Sequence, residues 1–217
     1  MSYDRILLDI ESQKEFFTPG GSLYVPAAEA ARRNIRRLFQ WARASRIPVI
    51  STVLRVRMGD VGPYGPAPLE GSPQEQKIPG TILPSRINLG LLNSTDLPDG
   101  LFTAHQQVIV EKRDTDIFAH ARLERLITEI GRATFVLCGA GLSYGLVQAA
   151  VGLRSRGFPV IAAADAILPI EDRFTPMARL RMEAKGVIFT ATSGIVAPRA
   201  KAAGAYRSDA VLKHKTA

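Results

Sequence analysis

The sequence predicts an α/β fold: a three-layer αβα sandwich around a mostly parallel open sheet of about six strands. Three observations carry this. Short apolar runs alternate along the chain with segments whose apolar residues recur at helical spacing, and that alternation is the signature of parallel strands joined by covering helices. The segment FVLCGAGLSYGLVQAAVGLRSRGFPVIAAADAI, from Phe135 to Ile167, reads as strand, Gly-rich turn, helix and strand, a βαβ unit with a right-handed crossover. Finally, 217 residues with 46% hydrophobic and 22% charged content suit one large domain with a sizeable core. The domain is expected over residues 1–197, with a small, basic and frayed tail over 198–217.

The elements follow in order. Arg5–Ile10 (RILLDI) is the first strand, with Glu11 at its carboxyl end. Pro26 opens a helix, and Ala31, Ile35, Leu38 and Ala42 form its single apolar stripe, with arginines opposite. Ile47–Val56 is the second strand. From Met58 to Gly100 the chain carries Pro63, Pro66, Pro68, Pro73, Pro79, Pro84 and Pro98. A structureless loop this long inside a compact domain points to function, and it is expected to drape over the carboxyl edge of the sheet as a site wall. Gln107–Glu111 is the third strand, with Lys112 at its end. A helix is expected over 116–131, with Phe118, Leu123, Leu126, Ile127 and Ile130 on its apolar side. In the central βαβ unit Phe135–Cys138 is a strand, and Ser143 is expected to cap the next helix. Gly157 ends that helix, and Pro159–Ala164 is the next strand. A helix over 171–184 and a strand over 186–192 complete the domain.

The charge balance is +8. Much of the excess lies on the Arg32–Arg46 helix and in the tail. With no nucleic-acid motif beside it, this reads as a solvated face rather than a nucleic-acid surface. No apolar run approaches the roughly 18–20 residues of a membrane span. The N-terminus lacks a secretory pattern. A single cysteine, Cys138, excludes an internal disulfide and agrees with a cytoplasmic protein. His105, His120 and His214 are scattered without ligand spacing and read as surface residues, so no metal and no cofactor are expected.

Ligands of open α/β sheets sit at the carboxyl ends of the strands. Glu11, Lys112 and the Gly139–Gly145 turn all fall there. A carboxylate beside an ammonium can move protons for a substrate, and a turn opening a helix can supply N–H groups to an oxyanion. The same pair can equally be a salt bridge at a sheet edge.

The residues also carry a resemblance. LLDIESQKEFFTPGGSLYVPAAE resembles the opening of nicotinamidase-related proteins of the isochorismatase-like cysteine hydrolase superfamily, D-V-D-T-Q-x-D-F followed by L-Y-V-P. Asp9, Gln13, Phe16 and Leu23 to Pro26 match this pattern. GSPQEQKIPGTILP is similar to the superfamily's G-T-P-G-Q-x-K-I-P-x-T, and the VEKRDTDIFAH and SYGLVQAAVGLRSRGFPVIAAADAI segments continue the match. In that superfamily an Asp–Lys–Cys triad cleaves amides. The resemblance places Glu11 at the Asp position, Lys112 at the Lys position and Gly145 at the Cys position. It places ligand contacts at Phe16, Ala140, Gly141, Tyr144 and Gly145. Nicotinamidases also carry an Asp-x-His and a further His suited to Zn²⁺, where this chain has Arg55 and Arg57, which could meet an anion.

Two functional readings stay open, and a nucleic-acid reading ranks last. One is an amidase-inactive relative that binds a small anionic or carbonyl-containing ligand. The other is hydrolysis without a cysteine, in which Glu11 protonates a vinyl ether as in true isochorismatases, which also carry Gly at the Cys position. The resemblance further implies a homo-oligomer.

Overall fold

The computed structural model describes residues 2–170 and 173–197. Seven parallel strands form one sheet in the order β3-β4-β2-β1-β5-β6-β7. They are β1 (Ser2–Ile10), β2 (Val49–Leu54), β3 (Arg86–Asn88), β4 (Gln107–Lys112), β5 (Arg132–Ala140), β6 (Val160–Leu168) and β7 (Ile188–Thr190). The helices are α1 (Lys14–Phe17), α2 (Ala28–Ala44), α3 (Leu101–Ala104), α4 (Ala121–Thr128), α5 (Val147–Ser155), α6 (Thr175–Ala184) and α7 (Thr192–Val196).

The layers follow from the two faces of β1. Ile6, Leu8 and Ile10 pack with Leu123, Leu126 and Ile127 of α4 and with Ala149, Ala150 and Leu153 of α5. Leu7 faces the other way, with Ala31, Ile35, Leu38 and Ala42 of α2. Both faces are therefore covered, which is why residues 6–10 form an unbroken apolar run apart from Asp9. Each fully buried Leu or Ile contributes about 1.5–3 kcal/mol.

The sheet has seven strands rather than six because β3 lies inside the stretch expected to be structureless. Its three residues pair with Gln107, Val108 and Ile109 of β4. A run of three residues is too short to show a period of two, so the sequence carries no sign of it. The expected helix over 116–131 is shorter: a 3-10 turn at Ile117–Ala119, capped by Asp116, precedes α4. The Ser143 cap is also corrected. Gly141, in the left-handed region at φ 75, precedes a π-type turn over Leu142–Leu146, and no side chain caps it. The Ser143 hydroxyl instead pairs with that of Thr175, 3.2 Å away. The helix expected from residue 171 begins at Thr175. Residues 171 and 172, and the tail from 198, lie outside the described residues. The arginine-rich face of α2 is exposed at Arg33, Arg37 and Arg43, as is Arg46 just beyond its end.

The chain leaves β1 to build one side of the sheet through β2 and the other through β5. The crevice therefore opens at the carboxyl ends of β1 and β5. The two strands touch closely there. A side chain at Gly139, at φ 124, would overlap the Ile10 carbonyl.

Candidate functional site

Glu11 follows β1 with φ 53. This is a left-handed conformation that costs a non-glycine residue roughly 1–2 kcal/mol. Its N–H donates to the Thr52 hydroxyl at 3.2 Å. The side chain is buried, and Lys112 Nζ at the end of β4 donates to Glu11 Oε1 at 2.5 Å. Lys112 also donates to the carbonyls of Asp114 (2.7 Å) and Thr115 (3.2 Å), so all three ammonium protons are used. Among the described residues, buried Glu11 Oε2 has no partner of good hydrogen-bond geometry.

Gly145 completes the convergence. A Cβ built there would lie 3.2 Å from Glu11 Oε1 and 3.2 Å from the Thr115 carbonyl. A side chain at position 145 would thus start directly against the carboxylate. The structure brings Glu11, Lys112 and Gly145 together as expected, although the sequence places them far apart.

Phe16, Gly141 and Tyr144 surround one further side chain that the sequence reading missed, Tyr64. Its ring meets Phe16 edge-on, with centroids 5.1 Å apart, and lies 4.6 Å from the ring of Tyr144. Its hydroxyl occupies the space that a side chain at Gly141 would need. Burial, then the Glu11 carboxylate, holds the phenol well above its ordinary pKa. The hydroxyl also faces the Gly145 N–H, yet it makes no bond of proper hydrogen-bond geometry. Ala140 is buried under α2 and belongs to the core.

A second buried pair lies below the site, on the α2 side of the sheet. Lys77 Nζ stands 2.6 Å from Asp9 Oδ2, which also accepts from the Ser51 hydroxyl at 2.8 Å. Gln107 donates to Ser51 Oγ (2.9 Å) and to the Thr81 carbonyl (2.9 Å), and its Oε1 accepts from the Leu83 N–H (2.7 Å). The Gln13 amide bonds Leu54 N–H and carbonyl and the Glu75 carbonyl, each at 2.8 Å. These contacts lash the loop over 75–83 to the sheet. Cys138 lies beside Asp9 in the register of β1 and β5. Burial first, then the Asp9 charge, pushes its thiol well above the ordinary value, so it is held as an inert core thiol.

Arg55 does not present a free charge to an anion. It lies 3.1 Å from Glu111, 3.4 Å from Glu75 and 3.8 Å from Glu70. Arg113 holds Glu70 at 2.8 Å, and that contact, more than Arg55 or Arg57, keeps the Glu70 carboxyl below its usual pKa. The residues do not fit the Zn²⁺ of nicotinamidases, because a guanidinium stands among these carboxylates. Among the described residues, no group of three His, Cys, Asp or Glu is placed to hold a metal.

His120, expected at the surface, is instead buried, and neither ring nitrogen has a partner. Burial, then the charges of Arg122 and Lys112, holds its pKa below the ordinary value. The unfolded chain takes up this proton near pH 6.5, where the folded chain does not. Stability therefore falls as the pH drops through about 6.5, and this contribution levels off below the folded-state pKa. Thermal midpoints measured from about pH 7.5 to about pH 5.5 should fall more steeply in the wild type than in His120→Leu. Equal slopes would remove His120 as the cause.

A family model covers most of the chain. The isochorismatase domain matches residues 5–193. The chain belongs to the isochorismatase family. Its structure is similar to that of an isochorismatase family protein from Desulfovibrio vulgaris, at 18% identity and a TM-score of 0.68, over 88% of this chain and 95% of that one. It is similar to nicotinamidase from Bacillus subtilis, at 17% identity and a TM-score of 0.65, over 87% and 100%. It is also similar to N-carbamoylsarcosine amidase from Thermoplasma acidophilum, at 17% identity and a TM-score of 0.64, over 88% and 97%. At these identities the likeness establishes the isochorismatase fold alone. No curated protein matches the chain. No described helix is long and apolar enough to cross a membrane.

Proposed function

We propose that this isochorismatase-family chain is an amidase-inactive relative that binds a small ligand between Glu11, Lys112 and Gly145. One observation carries the reading. The position facing the buried carboxylate is a glycine whose Cβ, if present, would lie 3.2 Å from Glu11 Oε1, so no thiol stands where one could attack and pass its proton to Glu11. Cys138 offers no substitute, being wholly buried under α2. The purified protein should release no ammonia from nicotinamide. Ammonia release that survives Cys138→Ala would end this reading.

A second reading is supported by the bare Glu11 Oε2. A buried carboxyl oxygen without a partner could deliver a proton to a vinyl ether, a reaction that needs no nucleophile. Isochorismate should then yield pyruvate, and Glu11→Gln should stop it. Absence of pyruvate leaves the binding reading alone.

Within the first reading the protein is cytoplasmic and homo-oligomeric and contacts neither membrane nor nucleic acid. The single buried cysteine supports the first point. The exposed Phe174, Met177, Leu180 and Ile188 support the second. Sedimentation as a monomer at micromolar concentration would remove the oligomer from this reading.

A further inference from the structure

We infer that Tyr64 is an exchangeable internal occupant of this site, and that the ligand which replaces it is a small neutral phenol. The inference rests on the binding reading and names its ligand class and its gate.

Tyr64 reaches the site from a pinched loop. The neck of the loop is closed by Val56, whose N–H donates to the Pro68 carbonyl at 2.9 Å and whose carbonyl accepts from the Glu70 N–H at 2.8 Å. At its tip Gly62 and Gly65 exchange two backbone hydrogen bonds, 2.8 and 3.1 Å, around Tyr64. Gly59 and Gly65 have positive φ, 88° and 78°, and a side chain at either would meet nothing within 4 Å. Met58 and Val61 are 86% and 84% exposed. The segment over 57–67 is thus tied at its neck, exposed from Arg57 to Val61 and packed at Gly62, Tyr64 and Ala67, a unit that can open locally without global unfolding.

The occupant also fits incompletely. The Tyr64 hydroxyl and the Glu11 carboxylate are neighbours, yet among the described residues neither the hydroxyl nor the buried Oε2 makes a hydrogen bond of good geometry. Buried polar groups are normally paired. An untethered phenol can settle by a few tenths of an ångström where the loop cannot, donating to Glu11 and accepting from the Gly145 N–H. Its ring would keep the edge-on contact with Phe16 and the face toward Tyr144 that Tyr64 now holds. The site selects a neutral donor over a carboxylate or phenolate, because Lys112 already balances Glu11 and a further buried anion would have no counter-charge. While Tyr64 is in place it competes as a tethered ligand, and the measured affinity is reduced by the fraction of molecules in which the loop is closed.

The test uses p-cresol, which is the tyrosine side chain without its backbone. Calorimetry should show Tyr64→Gly binding p-cresol at least about ten-fold more tightly than the wild type, since the competing closed state is gone. It should also prefer p-cresol over toluene, and Glu11→Gln in the Tyr64→Gly background should weaken that preference, because a neutral amide oxygen accepts less strongly than a carboxylate. In the wild type, saturating p-cresol should speed amide hydrogen exchange over residues 57–67 while leaving β1 and β5 unchanged. A folded Tyr64→Gly that binds p-cresol no better than the wild type overturns the proposal. If that variant fails to fold, unchanged exchange in the wild type with p-cresol bound overturns it alone. Failure here leaves the ammonia assay untouched, so a wrong ligand class and a wrong activity assignment are told apart.

Discussion

Replacing Lys112 by methionine lowers the unfolding free energy by about 3–5 kcal/mol, the cost of stranding a buried charge. Glu11 is 0% exposed and has no other cation against its carboxylate. Among the described residues, the 2.5 Å contact from Lys112 Nζ is the one hydrogen bond of good geometry that its carboxylate accepts. Methionine fills nearly the volume of lysine, so packing is largely kept and the loss reports charge. The lost donations to Asp114 and Thr115 add to it. The double variant Glu11→Gln, Lys112→Met should recover most of the loss, because removing both charges of a buried pair is close to neutral. Urea unfolding followed by circular dichroism measures both. A single-variant loss under about 1 kcal/mol would mean that the pair is solvated after all.

Lys77→Met should cost a similar amount, about 3–5 kcal/mol, by a separate route. Asp9 is wholly buried and keeps only the Ser51 hydroxyl once the lysine is gone. Its Oδ1 is already without a partner. The damage should spread further than at Lys112, because Lys77 sits on the loop that Gln13 and Gln107 hold to the sheet. Hydrogen exchange over residues 75–83 should therefore accelerate in Lys77→Met but not in Lys112→Met. Asp9→Asn combined with Lys77→Met should restore stability, and no restoration would locate the loss in packing instead.

Much of this site was legible in the sequence. Glu11 and Lys112 sit at strand ends and Gly145 in the turn that follows β5, and strand ends converge in any parallel sheet. The resemblance assigned each its position. Asp9 was legible only as a match to a pattern: its lysine partner lies far along the chain inside a proline-rich segment, and nothing local pairs them. His120 was misjudged because a lone histidine without ligand spacing carries no mark of burial, even with Ile117, Phe118 and Ala119 before it. The partners of Arg55 were not legible because Glu70 and Glu75 come from the proline-rich loop and Glu111 from β4.

The amino-acid sequence by itself determined the alternation of strand and helix, and with it the parallel sheet, the crevice and the convergence of Glu11 and Lys112 on a glycine-rich turn. These follow from periodicity and the direction of strands, which are local properties. Only the tertiary structure decided what fills the crevice. Tyr64 reaches Glu11 because hydrogen bonds at Val56 close the neck of its loop and because Gly141 leaves room for a hydroxyl. Contacts between residues far apart in the chain depend on the path of a loop, and no period or propensity encodes that path.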